Sequence, residues 1–330
     1  ALNLQEDYKQ HGNNRRRFVI PASAIHNPVC KAAESNVLYI HQPQRTDNRD
    51  NPETRLMSEL FYNAVPNATR VAPPLPEPRQ YPSEKPSRVY LFGTCVVDLF
   101  YPEAGMDAIH LLEREGIRVE YPQGQSCCGQ PAYTSGYTEQ ARTVARSQLA
   151  LFAGDYPVVV PSGSCAGMLR EHYADLFKEE PETLKQVQAL AARTYELAEF
   201  LLFVCKVQLK DSGEPVKVAL HTSCSARREM NTHLHGRELL AQLSNVERVN
   251  HDHESECCGF GGTFSVRMPD ISGAMVADKT RALKESGAHR ILSADCGCLM
   301  NINGSLEKQQ EALRGQHLAS FLWQRTGGAQ

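Results

Sequence analysis

The stretch Cys127-Cys128-Gly129 returns later in the chain as Cys257-Cys258-Gly259. One cysteine precedes each pair and another follows it, so eight of the eleven cysteines form two matching sets. The first set is Cys95, Cys127, Cys128 and Cys165, and the second set is Cys224, Cys257, Cys258 and Cys298. Cys224 lies 129 residues after Cys95, Cys257 lies 130 after Cys127, and Cys298 lies 133 after Cys165. This near-constant spacing predicts an internal duplication.

Short apolar runs alternate with amphipathic segments around both cysteine sets. In the first half, the pattern predicts strands at 89–92, 117–121 and 158–160 and helices at 103–115 and 138–152. In the second half, it predicts strands at 216–220, 246–249 and 290–292 and helices at 233–243 and 270–285. Such alternation is typical of βαβ units in a parallel sheet. The sequence therefore predicts an α/β fold with two duplicated parallel-sheet βαβ halves.

Every cysteine of the two sets follows the carboxyl end of a predicted strand. Ligands of open α/β sheets bind at this edge, where residues that are distant in sequence converge. We therefore expect one crevice per half, lined by four cysteines.

The rest of the chain divides around these halves. Residues 1–56 are polar and lack sustained apolar periodicity, so we expect a non-family, disordered N-terminal extension before a segment from Met57 that resembles an ordinary protein start. An ordered, family-specific arm is the alternative. A proline-rich lead (57–86), the first half (87–180), a helical connector (181–214) and the second half (215–330) follow. We expect an uninterrupted helical stretch over 181–209 and a closing helix over 305–325.

Composition narrows the function classes. With 41% hydrophobic residues, the 330-residue chain can build a packed core, and its net charge of −3 argues against a nucleic-acid partner. No secretory signal is visible, and the longest apolar stretch, 198–209, is too short and too charged to span a bilayer. We expect a cytoplasmic protein with no transmembrane segment.

Eleven cysteines in a reducing compartment indicate metal or redox chemistry rather than disulfides. Structural zinc sites usually take their ligands from closely spaced cysteine pairs, whereas these cysteines come from separate loops. Adjacent cysteines strain the backbone around one small ion, but neighbouring thiolates can bind different irons of a cluster. The pattern favours an iron–sulfur cluster of the 4Fe–4S type, one or two per chain. Zinc and a metal-free thiol redox site stay open as alternatives.

Several other residues near the cysteines have simpler interpretations. Cys205 is expected to be a packed helix cysteine, and His251 and His253 are expected to be solvated loop residues. Arg227, Arg228 and Arg267 lie close in sequence to the second set. They could offset the charge of a thiolate-ligated cluster, or they could be ordinary surface residues.

The motifs around the cysteines resemble the cysteine-rich CCG domain family, which includes the B-type component of heterodisulfide reductase, and more specifically the lactate utilization protein A family. The resemblance covers residues 87–325. The segments that carry it are Ser126-Cys127-Cys128-Gly129-Gln130-Pro131-Ala132, Ser162-Gly163-Ser164-Cys165, Cys257-Cys258-Gly259-Phe260-Gly261-Gly262-Thr263-Phe264-Ser265-Val266 and Cys296-Gly297-Cys298-Leu299-Met300.

This resemblance implies the small iron–sulfur subunit of a three-component L-lactate dehydrogenase complex, an oxidoreductase subunit not active alone. The implied partners are a ferredoxin-type iron–sulfur subunit and a third subunit, since the chain has no ferredoxin-like cysteine run of its own. A zinc-stabilised scaffold subunit and a heterodisulfide-reductase-like thiol/disulfide subunit are the alternatives.

The sequence departs from the wider family at the end of each half. Heterodisulfide reductase B-type halves end in Cys-x-x-Cys, whereas here Ser162 and Asp295 replace the first of these cysteines. Cys296 appears only in the second half, which then has five candidate thiolates. We therefore expect the second half to hold the more firmly bound cluster.

Overall fold

The computed structural model describes residues 79–328. The expected extension, 1–56, and most of the proline-rich lead lie outside the described residues. A compact unit begins at Gln80, and only its described residues, 80–328, are considered below.

The first half is built on a four-stranded parallel sheet with the order β2-β1-β3-β4. Its strands are β1 (Arg88–Leu91), β2 (Arg118–Glu120), β3 (Val158–Val160) and β4 (Thr194–Glu196). Its α-helices are α1 (Cys95–Phe100), α2 (Pro102–Arg114), α3 (Gln130–Thr134), α4 (Thr138–Leu151), α5 (Gly163–Gly167), α6 (Tyr173–Leu176), α7 (Pro181–Ala192) and α8 (Leu197–Phe200), and π-helices cover Met168–His172 and Leu201–Cys205. All three valines of β3 are fully buried because helices cover both faces of the sheet.

The second half repeats this sheet with the order β6-β5-β7-β8. Its strands are β5 (Val216–Leu220), β6 (Val246–Val249), β7 (Arg290–Ser293) and β8 (Gly315–His317). Its helices are α9 (Cys224–Glu229), α10 (Thr232–Ala241), α11 (Phe264–Arg267), α12 (Pro269–Glu285), α13 (Cys296–Lys308) and α14 (Leu318–Arg325). The predicted fold class, two duplicated parallel α/β halves, is confirmed.

The connections around the two sheets define where a ligand can bind. In each half the chain moves outward from the first strand to the second, then crosses to the other side for the third. Loops therefore diverge above β1 and β3, and above β5 and β7, which opens a crevice at the carboxyl ends of these strands.

Two segments differ from the sequence expectation. The stretch 181–209 is not continuously helical, because α7 ends at Ala192 and β4 pairs with β3 as a fourth strand. Likewise, α13 ends at Lys308, and β8 interrupts the expected closing helix 305–325 before α14 begins. Both added strands are three residues long, so hydrogen bonds to a neighbouring strand define them rather than a visible apolar alternation. The proposed boundaries at 87–180, 181–214 and 215–330 stay a prediction.

The halves interlock through one shared hydrophobic core. Val89 and Leu111 of the first half belong to the same buried cluster as Val218 and Phe321 of the second. Helix α2 packs on α14, where the His110 and Trp323 rings lie 4.9 Å apart between centroids.

A second contact brings α5 against α9 at close range. A Cβ atom at Gly163 would lie 2.5 Å from the Ala226 Cβ atom and 2.7 Å from a methyl group of Thr232. Only glycine permits this approach, and it places the two cysteine-bearing edges side by side. Among residues 79–328, no helix is both long and apolar enough to cross a lipid bilayer.

Candidate metal centre

Both cysteine sets line one shared cavity of about 390 Å³. The cysteines in its wall are Cys95, Cys127, Cys128, Cys165, Cys224, Cys257, Cys258, Cys296 and Cys298. The expectation of one crevice per half is therefore corrected: the crevices open into one space because α5 packs against α9. All nine predicted site residues come together there.

In the first half, the N-terminal turns of α1 and α5 and the loop before α3 bring four thiols together. The Sγ atoms of Cys128 and Cys165 lie 3.4 Å apart, and the Gly129 backbone N–H donates a hydrogen bond to the Cys127 Sγ atom over 3.4 Å. Gly129 has a φ angle of 88°, a left-handed conformation that turns its amide toward the sulfur. The Tyr173 hydroxyl donates to the Cys128 carbonyl over 2.9 Å and anchors the loop from below.

The second half repeats this geometry. The Sγ atoms of Cys258 and Cys298 lie 3.1 Å apart, and the Gly259 N–H donates to Cys257 Sγ over 3.3 Å. The Asn301 side-chain amide donates to the Cys258 carbonyl over 2.8 Å. The matched Gly129 and Gly259 amides thus have the same function in both halves, since each donates to a thiol sulfur.

The thiols of the first set influence one another's protonation. Hydrogen bonds from the Cys128 and Cys95 thiols lower the pKa of Cys127, and the same contacts, together with burial, raise the pKa values of Cys95 and Cys128. In the second half, the contact with Cys257 and burial raise the pKa of Cys224. Because metals bind thiolates, a metal that enters this cavity must displace thiol protons.

Cys296 is directed differently from Cys298. The two residues are two positions apart on α13, which places their side chains about 200° apart around the helix axis. Cys298 contacts Cys258, so Cys296 points away from the second set. Burial and the neighbouring Asp295, Glu103 and Cys165 raise the pKa of the Cys296 thiol, and none of these neighbours belongs to the second set. Cys296 therefore lies toward the first set.

Two buried residues near the second set were missed in the sequence. His221 is fully buried, and its ring lies with the Cys258 and Cys298 thiols in a group whose ligand atoms are all within 4.8 Å of one another. Lys279 is only 1% exposed, and its ammonium group donates to the His253 carbonyl. Burial lowers the pKa of Lys279, while the nearby Cys258 opposes this shift. A signal for His221 was present, because it follows β5 where Phe92 follows β1.

The simpler interpretations have mixed outcomes. Cys205 is packed in the core as expected. His251 is buried at 8% exposure rather than solvated, and its Nδ1 atom lies 2.7 Å from the Asp252 carbonyl, whereas His253 is exposed. Among the three arginines, Arg228 lines the cavity beside Cys224, Arg227 pairs with Glu254 and Arg267 is exposed.

The donor chemistry of the cavity fits a thiolate-ligated metal cofactor. Each half offers four thiols from two helix N-termini and one loop, and in each half two of the sulfur atoms already approach to van der Waals contact. Buried thiols of this kind are soft ligands, which suit iron–sulfur clusters and zinc. Together, fold and site define a metal-binding protein with a duplicated cysteine-rich domain.

Comparisons with known proteins agree with this class. The family model for the CCG cysteine-rich domain matches residues 89–170 and 218–303, one match per half. Lactate utilization protein A of Halalkalibacterium halodurans is 43% identical over 235 residues, which cover 71% of this chain and 96% of that protein. The protein of the same name from Shouchella clausii is 44% identical over 234 residues, covering 71% and 98%. The chain therefore belongs to the lactate utilization protein A family.

One solved structure supports the fold alone. A hypothetical protein from Helicobacter pylori superposes with a TM-score of 0.53 at 13% sequence identity. The likeness covers 76% of this chain and 52% of that chain.

Proposed function

We propose that this protein is an iron–sulfur electron-transfer subunit of a complex that oxidises L-lactate to pyruvate. The observation that carries the proposal is the arrangement of two four-thiol sets around a single cavity. Such sets hold 4Fe–4S clusters in many proteins, and these clusters accept and release single electrons. One or two clusters per chain would fit the first and second sets.

The chain's own residues prepare the site for such a cofactor. The Gly129 and Gly259 amides donate to the sulfurs of Cys127 and Cys257, and these hydrogen bonds stabilise negative charge on thiolates. Four of the cysteines in the cavity wall, Cys128, Cys258, Cys296 and Cys298, are buried, which limits the access of water to their sulfur atoms. The adjacent cysteines of each pair can bind different irons, which a single small ion does not allow.

The role in lactate utilization rests on family membership, because the curated relatives carry that name. Lactate oxidation releases electrons that need an acceptor, and the cysteine sets supply a place for a relay rather than for the complete reaction. We therefore propose an oxidoreductase subunit that is inactive alone. Its partners are a ferredoxin-type iron–sulfur subunit and a third subunit, and its location is the cytoplasm.

Zinc is the competing cofactor, and a specific observation favours it. The His221 ring and the thiols of Cys258 and Cys298 have the ligand types of structural zinc sites. A zinc-bound protein would act as a scaffold within the complex and carry no electrons, since zinc has no redox chemistry in proteins.

Anaerobic purification distinguishes these cofactors. Iron and acid-labile sulfide in near-equal amounts, broad visible absorption and a paramagnetic signal after dithionite reduction support the proposal. A colourless protein with stoichiometric zinc and no sulfide contradicts it. With the partner subunits added, L-lactate should bleach the visible absorption of this chain, whereas the chain alone should not respond to L-lactate.

A further inference from the structure

His221 occupies a position set by the second sheet. Its backbone N–H donates to the Leu292 carbonyl over 2.8 Å, which extends the pairing of β5 with β7 by one residue. Side chains alternate along a strand, so His221 points to the same face as Ala219. Ala219 belongs to the buried cluster that contains Cys258 and Cys298. The strand therefore directs the imidazole toward the two thiols of the second set.

The His221 ring is buried without a polar partner. Its side chain is fully buried, and neither ring nitrogen has a hydrogen-bond partner within residues 79–328. In that part of the chain, His221 is the only histidine whose two ring nitrogens are both buried and unpartnered. A buried polar group is costly unless something binds it. A ring nitrogen of His221 and the Sγ atoms of Cys258 and Cys298 all lie within 4.8 Å of one another, so the three residues could bind the same metal.

The equivalent position in the first half has no such group. Phe92 donates its backbone N–H to the Val159 carbonyl over 2.9 Å, as His221 does to Leu292. The Phe92 ring packs in the buried cluster that contains Cys128. The same place in the fold thus holds an apolar ring beside the first set and an imidazole beside the second. Packing alone does not require the imidazole, since a phenyl ring fills the site.

We propose that His221 is a nitrogen ligand of the metal centre that Cys258 and Cys298 bind, which makes the two sites of the chain chemically different. The inference rests on the proposed function, because it assigns a ligand to the cofactor proposed there. An imidazole ligand is neutral where a thiolate is anionic, so a centre that His221 binds has a higher potential than a centre bound by thiolates alone.

The test is pulsed electron paramagnetic resonance on the full chain, purified anaerobically after growth with nitrogen-15 histidine. The expected result is a strong nitrogen-15 coupling, of the size given by a directly bound nitrogen, in one reduced cluster. His221→Phe, which copies the first half, should abolish this coupling and lower the midpoint potential of that cluster. His235→Phe is the matched control, because His235 is buried beside Phe203 and does not line the cavity.

A cluster with no strong histidine coupling in the wild-type chain would overturn the inference, and so would a coupling that persists in His221→Phe. If His221→Phe does not fold, His221→Gln keeps a polar side chain at the position and should also lose the coupling. A chain with zinc and no iron or sulfide contradicts the proposed function instead. Zinc-edge X-ray absorption then shows either a nitrogen neighbour that His221→Phe removes, which supports the ligand assignment, or sulfur neighbours alone, which overturn it.

Discussion

The Ser162 hydroxyl donates a hydrogen bond to an Asp295 carboxylate oxygen over 3.0 Å, and the two residues occupy equivalent positions in the two halves. The Ser164 backbone N–H donates to the same oxygen over 2.9 Å. Heterodisulfide reductase B-type halves, which this chain resembles, have a cysteine at these positions. Here Ser162 and Asp295 bind each other directly. This contact joins the segment before Cys165 to the residue that precedes α13.

Removing the Ser162–Asp295 hydrogen bond should weaken the packing of the first half against the second. Asp295→Ala leaves the buried Ser162 hydroxyl and the Ser164 N–H without their acceptor, so we expect a loss of about 1–3 kcal/mol in the free energy of unfolding. Denaturant titration measures this loss. Asp175→Ala is the control, since Asp175 is exposed and pairs only with surface groups. Equal losses in the two variants would show that the Ser162–Asp295 contact contributes no more to the free energy of unfolding than a surface ion pair.

Cofactor content should depend on the two sets and not on Cys205. Cys257→Ser removes a thiol whose sulfur faces the cavity, so bound iron and inorganic sulfide should fall. Cys205→Ser changes a cysteine packed in the core away from the cavity, so both contents should stay near the wild-type level. Iron and sulfide assays on anaerobically purified protein measure the difference. The same loss of iron in both variants would contradict the assignment of the sets.

The two halves should hold iron with different strength. Beside the second set lie Lys279 and a run of three glycines, Gly259, Gly261 and Gly262, all with positive φ. The ammonium charge of Lys279 favours thiolate ligation in this half, so mild air exposure should remove iron in two stages. Cys258→Ser should abolish the resistant stage, while Cys128→Ser should spare it.

Cys296 offers a second check on this assignment. Because its side chain lies toward the first set, Cys296→Ser should leave the resistant iron intact, contrary to its sequence-based assignment as a fifth thiolate of the second half. If Cys128→Ser removed the resistant iron and Cys258→Ser did not, the first half would hold the more firmly bound iron and the prediction would be wrong.

Lys279 should raise the potential of the centre in the second half. A buried ammonium group near Cys258 stabilises the additional negative charge of the reduced state. Lys279→Met keeps most of the volume but removes the charge, so one midpoint potential should fall while the other stays unchanged. Redox titration followed by electron paramagnetic resonance resolves the two. Lys284→Met, on the same helix but paired with Glu311 at the surface, should change neither potential.

Glu196 should make stability depend on pH. Burial raises the pKa of this carboxyl group to about 8, against an ordinary value of 4.5. The protonated form is therefore favoured in the folded state, and its stabilising contribution is complete below about pH 4.5 and lost as the pH rises to about 8. Each pKa unit corresponds to about 1.4 kcal/mol, so the loss over this window is on the order of 3–5 kcal/mol.

Glu196→Gln should remove this dependence, because the amide can still accept the hydrogen bonds that Glu196 receives from the N–H groups of Ala198 and Glu199. Urea midpoints at pH 5 and pH 8 should differ less in the variant than in the wild type. The exposed Glu182→Gln is the control. A variant that loses as much stability as the wild type between these pH values would rule out Glu196 as the source.

The sequence allowed the positions of six strands along the chain to be inferred, and it placed each cysteine of the two sets beyond the carboxyl end of one of them. Each of these strands has either a short apolar run or an alternating pattern. Strands β4 and β8 were missed because Thr194–Glu196 and Gly315–His317 have no apolar pattern of their own. They exist because a neighbouring strand offers free backbone groups, which a reading along the chain does not reveal.

The shared cavity and the buried lysine near the second set could not be predicted from the sequence for a related reason. One crevice becomes common to both halves only when Gly163 lets α5 approach Ala226. Lys279 lies in the middle of an amphipathic helix, where a lysine is ordinarily solvated, and only the packing of α12 buries it. The contrast between Phe92 and His221 was visible in the repeat, but its meaning depends on where β5 directs the ring.

The packing of α2 on α14 has a consequence for the order in which the molecule forms. Leu111 and Leu112 of the first half are covered in part by Leu318, Phe321 and Leu322, which the ribosome adds much later than the first half. A nascent chain that ends before α14 therefore exposes an apolar face on the first half. The first half therefore cannot complete its folding before the second half is synthesised. Its apolar face at α2 stays exposed until α14 packs on it.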